Sequence, residues 1–71
     1  MNILTPEQSE HLTNLFAKWL YQIECRNNFT YGSAPYQRAV QRAEVLEVEA
    51  SLLVYGDAVH SMSECINGVD A

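Results

Sequence analysis

Apolar residues recur through the second half of the chain at steps of three and four: Val45, Val48, Leu52, Tyr55, Val59, Met62 and Ile66. That spacing holds one face of a helix against a partner helix. Roughly 100° around the same helix runs a second seam, Ala39, Ala43, Leu46, Ala50 and Leu53, because each residue turns the helix by about that angle. Two apolar seams on one helix require two neighbours.

The first half supplies one of them. Leu12, Leu15, Phe16, Trp19, Leu20 and Ile23 form a broad apolar face, and Thr13, Asn14, Lys18, Gln22 and Arg26 form the polar one. The start is encoded by Thr5-Pro6-Glu7-Gln8. Thr5 suits an N-cap, Pro6 the first helical position, and Gln8 the reciprocal place in a capping box. Leu4 stands where a hydrophobic staple begins, and Glu7 and Glu10 favour the positive end of the helix dipole. Asn27-Asn28 ends this helix, which spans residues 5–27 and is roughly 35 Å long at 1.5 Å per residue.

Residues 28–33 read as a loop, with Gly32 free to take a left-handed conformation. Ser33 is an N-cap and Pro35 sits in the following first turn. So short a connection makes the helices antiparallel neighbours. The second helix is expected over residues 34–66, interrupted at Gly56-Asp57. The long seam crosses Gly56 without losing phase, which favours a continuous or kinked helix. In the competing reading Gly56 closes the helix and Asp57 caps a short third one. Residues 67–71 form a polar tail expected to fray. The expected fold is therefore all-α: one domain over residues 1–71, built as an antiparallel helical hairpin.

A chain of 71 residues has room for one small core, which is marginal without a staple or a partner. With residues level when their numbers add to about 63, everything beyond Ala58 overhangs the first helix. The inner alanine-rich seam packs on Phe16, Trp19 and Leu20, leaving the long seam without cover. A second copy is the commonest cover for such a strip. The expected dimer interface is Val45, Val48, Leu52, Tyr55, Val59, Met62 and Ile66. Arg26, Arg38 and Arg42 gather towards the loop end, and Glu7, Glu10, Asp57 and Glu64 towards the open end. Antiparallel packing sets unlike ends together, giving a four-helix bundle. Exposed ion pairs contribute about 0–1 kcal/mol each, so they orient the assembly and the apolar seams hold it.

Charge narrows the partners. Nine acidic against four basic residues leave a net charge of −5, whose field repels nucleic acid and anionic membranes. Two cysteines, Cys25 and Cys65, are too few for a disulfide scaffold. No basic leader followed by an apolar run marks secretion, and no stretch is long enough to span a bilayer. The expected location is the cytoplasm, with reduced thiols.

Candidate chemistry is sparse. Arg26, Arg38 and Arg42 with Tyr31, Tyr36 and Phe29 could grip single-stranded nucleic acid by phosphate contact and stacking. The simpler reading is that carboxylates of a partner subunit balance these cations while the tyrosines close the bundle end. His60, Glu64 and Cys65 are residue types that zinc accepts, but Cys65 turns about 100° away from Glu64 on a helix. A hydrogen-bonded structural histidine is the simpler reading. His11 has no nucleophile or acid fixed beside it, and no Gly-rich strand–turn–helix context supports a triad. No catalytic residue, metal or cofactor is implied. Glu44, Glu47 and Glu49 form either a solvated ridge or a row that mimics DNA phosphates. The leading expectation is a non-enzymatic interaction or regulatory protein, of the phage or plasmid accessory type, working as a homodimer on another protein. A nucleic-acid regulator and an acidic DNA mimic are the alternatives.

Overall fold

The computed structural model describes residues 3–69. Three helices follow in order: α1 (Pro6–Asn27), α2 (Ala34–Tyr55) and α3 (Met62–Asn67). The body measures 39 × 20 × 15 Å. It is an antiparallel α1–α2 hairpin with α3 folded back against the open end.

The local signals at the helix starts act as the sequence expects. The Thr5 hydroxyl accepts from the Gln8 N–H at 3.1 Å, and the Thr5 N–H donates to Gln8 Oε1 at 3.0 Å. Two donors that the first turn would leave unpaired are thereby satisfied. Ser33 caps α2 by accepting from the Tyr36 N–H at 3.3 Å. Pro6 and Pro35 lie in the first turns of α1 and α2, where a missing N–H costs nothing. Between them Gly32 takes φ 79°, a left-handed value.

Small residues let the two long helices approach. Ala39, Ala43 and Ala50 of α2 are buried against α1, with Leu46 and Leu53 half-buried beside them. From α1, Leu12 and Leu15 are buried, and Phe16 and Trp19 stack with ring centroids 6.0 Å apart. The Trp19 indole N–H is enclosed without an acceptor among the described residues. Leu20 departs from its expected place: it stands on the edge of the apolar face and is exposed.

The largest departure comes at Gly56. Continuity of the long seam favours a helix running to residue 66, and the chain instead stops at Tyr55. Gly56 adopts φ 79° ψ 7° and returns its N–H to the Leu52 carbonyl at 3.0 Å. This left-handed cap ends the helix and reverses the chain. Asp57 does not cap the next helix. Ser61 does, accepting from the Glu64 N–H at 3.2 Å. The reversal seats Met62 and Cys65, both fully enclosed, on Leu12, Leu15, Ala50 and Val54. Val69 packs on the same cluster, so the tail is anchored at least to that point. Asp70 and Ala71, also assigned to the tail, lie outside the described residues.

The phase of an apolar seam is blind to the direction of the chain. A single left-handed residue redirects the axis, and the apolar positions beyond it find cover inside the hairpin's own open end. Gly56→Ala is expected to lower stability by about 1 kcal/mol, the cost of a Cβ at positive φ. In an uninterrupted helix the same change would raise stability by about 1 kcal/mol, so the sign in a urea titration separates the two.

Candidate interaction surface

The long seam divides into parts with different fates. Val45, Val48 and Leu52 lie on the open side of α2, Val45 bordering α1 and Val48 bordering the α2–α3 connection, and are 59%, 40% and 52% exposed. Tyr55 is partly spent on α3, because its hydroxyl donates to the Glu64 carbonyl at 2.8 Å. Val59 lies in the α2–α3 connection and is exposed, as is Ile66 on α3. Met62 is enclosed by its own chain and offers nothing to a partner.

Beside this open strip lies a groove that the sequence pattern does not reveal. It has a volume of about 560 Å³ and is lined by Ala17, Lys18, Tyr21 and Gln22 of α1 and by Arg42, Val45 and Leu46 of α2. Val45 belongs both to the groove and to the strip. Tyr21 is 62% exposed over it. The Cys25 side chain, one turn on, raises the Tyr21 phenol above its ordinary range, and Arg42 across the groove opposes this more weakly. Tyr21 escapes a reading for one neighbour because it falls on the polar side of α1, roughly 180° from Leu12. Its 3- and 4-residue neighbours Lys18 and Cys25 mark the flank it shares.

The loop end does not form one patch. Tyr31 and Tyr36 pair with centroids 5.1 Å apart. They line a shallow depression with Gly32, Gln37, Val40, Gln41 and Glu44, so the charged side chain in it is a carboxylate. Phe29 is exposed, and the Arg26 guanidinium donates to Asn27 Oδ1 at 3.3 Å from both Nε and Nη2. Arg42 lines the groove on another side of α2. Arg38 is exposed one turn before it. Among the described residues, no Lys or Arg comes within ion-pair distance of a carboxylate; the ion pairs run through His60.

His60 organises the α2–α3 junction. Its Nε2 lies 3.2 Å from Asp57 Oδ1 and its Nδ1 2.7 Å from Glu64 Oε2. The ring stacks on Tyr55 at 3.8 Å between centroids. Only the protonated ring can donate to both carboxylates. The Glu64 hydrogen bond, opposed by some burial and helped by the Asp57 charge, raises the His60 pKa above its ordinary 6.5. Glu64 is lowered from 4.5, chiefly by the same bond. Beneath the ring Ser51 is fully buried: its hydroxyl donates to the Asp57 carbonyl at 2.5 Å and accepts from the His60 N–H at 3.1 Å. Glu47 turns inward to accept from the Met62 N–H at 2.8 Å.

These placements limit the chemistry. Cys65 is in the core, and its burial, with nearby carboxylates, pushes the thiol up, so it stays protonated and unreactive. Cys25 is half-buried and also free. Among the described residues no three His, Cys, Asp or Glu side chains are placed to hold a metal ion. His11 is exposed on α1. The row Glu44, Glu47, Glu49 is broken, because the Glu47 carboxylate caps α3 while Glu44 and Glu49 stand exposed. No helix among the described residues is long and apolar enough to cross a membrane.

The chain matches no protein-family model, no curated protein sequence and no solved structure.

Two tests address the junction. His60, with its pKa raised by folding, stabilises most below about pH 6.5, and the benefit is lost as pH rises through its folded value. Glu64, lowered by folding, stabilises most above about pH 4.5, and the benefit is lost as pH falls through its folded value. Docking of α3 is therefore expected to be firmest between those two values, read as amide-exchange protection at Cys65, and His60→Gln should flatten that dependence. Ser51→Ala removes the partner of the part-buried Asp57 carbonyl and His60 N–H and should cost about 0.5–1.5 kcal/mol in chemical denaturation.

Proposed function

We propose that this is a non-enzymatic interaction or regulatory protein that works as a homodimer of helical hairpins. The observation that carries the reading is the run Val45, Val48 and Leu52, open to solvent on a 71-residue chain and merging at Val45 with an apolar groove. A continuous apolar strip on a body this small leaves water-exposed area that a second copy would bury, at about 25 cal/mol per Å² removed from water. Two-fold self-association is the simplest way for one strip to find a complementary strip.

The dimer would leave the α3 side and both ends of each hairpin free to engage another protein, as an accessory factor of the phage or plasmid kind. A cytoplasmic setting suits the two unpaired thiols. The nucleic-acid reading draws support from Arg38 and Arg42, which have no carboxylate partner among the described residues, and loses it from Glu44, which sits beside the tyrosine pair. The DNA-mimic reading is weakened by the inward turn of Glu47.

Sedimentation equilibrium at micromolar concentration should give the mass of two chains. Val45→Asp with Leu52→Asp places four carboxylates in a two-fold apolar interface. This should weaken the dimer at least about a hundredfold, with the helical circular-dichroism signal retained. A wild-type mass of one chain would overturn the reading.

A further inference from the structure

Resting on the homodimer reading, we infer that the occupant of the open strip is α2 of a second copy, packed antiparallel with Val45 level with Val48 of that copy. The strip continues at both ends with heptad spacing: Arg38, Gln41, Val45, Val48, Leu52 and Tyr55. Setting Val45 against Val48 of the second copy brings Gln41 level with its Leu52 and Arg38 level with its Tyr55. The two-fold axis repeats each layer. Arg38 is then level with an aromatic ring.

Charge selects this register. Arg42 and Glu49 are exposed on one flank of the strip, seven residues apart and therefore two turns along the same side. Neither has an ion-pair partner in its own chain among the described residues. Antiparallel packing about a centre between residues 46 and 47 sets Arg42 beside Glu49 of the second copy, twice by symmetry. Parallel packing would instead set Glu49 beside Glu44 of the second copy and Arg42 beside its Gln37, leaving Arg42 without a carboxylate. The chain holds four Lys/Arg, and Lys18 and Arg42 line the groove next to this strip. The complementary carboxylate that Arg42 lacks in its own chain is Glu49 of the second copy.

The experiment is a charge swap, read by sedimentation equilibrium at fixed low ionic strength with helicity checked by circular dichroism. Both positions are exposed, so the hairpin should fold in every variant. Arg42→Glu and Glu49→Arg should each raise the dimer dissociation constant about tenfold or more, because two attractive contacts become repulsive. The double variant should return to the wild-type value, and an equimolar mixture of the two single variants should dimerise as tightly as wild type. Net charge alone would act differently: from −5, one single variant moves away from neutrality and the other towards it, so one would tighten. A wild-type dimer whose single variants are unchanged, or whose losses the double variant and the mixture do not restore, overturns this register and leaves the dimer standing. A monomeric wild type overturns both.

Discussion

The reversal after Tyr55 is the constraint on which the rest of the structure depends. Two helices of 22 residues each, joined by a short loop, bury one face apiece and leave their open end unsealed. Gly56, at φ 79°, permits the chain to turn at once, and the turn delivers Met62 and Cys65 into that opening. A residue with a Cβ resists the conformation, so the closure of the core rests on one glycine. The turn is then locked by side-chain hydrogen bonds. Ser51 bonds both sides of the connection, Glu47 receives the first free N–H of α3, and Tyr55 reaches the Glu64 carbonyl. The same carbonyl accepts from the Gly68 N–H at 2.8 Å, and a Cβ at Gly68 would overlap the Tyr55 hydroxyl.

Sealing the core from within changes what remains for a partner. Had α2 run on, its whole outer seam would have stood exposed as one long stripe. The fold-back withdraws Met62, occupies part of Tyr55 and leaves a shorter strip centred on Val48. The α3 helix covers the α2 flank that carries Glu47 and Ser51, whereas the groove between Tyr21 and Val45 stays open on the other flank. The molecule thus has one sealed side and one open side. That asymmetry is what gives a self-association proposal a definite face.

The junction also places the chain's titrating chemistry in a structural role. His60 sits between Asp57 and Glu64. Its partners are carboxylates that hold it charged, and its ring lies flat on Tyr55. Beside it the buried Cys65 is kept protonated. A histidine held between two carboxylates and an aromatic ring ties the α2–α3 connection together.

Much of this was legible in the residues themselves. Thr5 with Gln8, Ser33 with Pro35, and the run Ala39, Ala43, Ala50 are local or periodic signals, and each acts through neighbours within a turn or through one helix face. They determined the helix starts, the hairpin and its inner seam. The tertiary structure alone decided which way the chain went after Tyr55, because a seam in phase fits both a straight helix and a folded-back one. It also decided the flank on which Tyr21 and Arg42 meet, since a groove belongs to two helices and a helical wheel describes only one. Val45, Val48 and Leu52 stand open either way: the sequence marked them as surplus, and the covered open end showed that the chain had no further use for them.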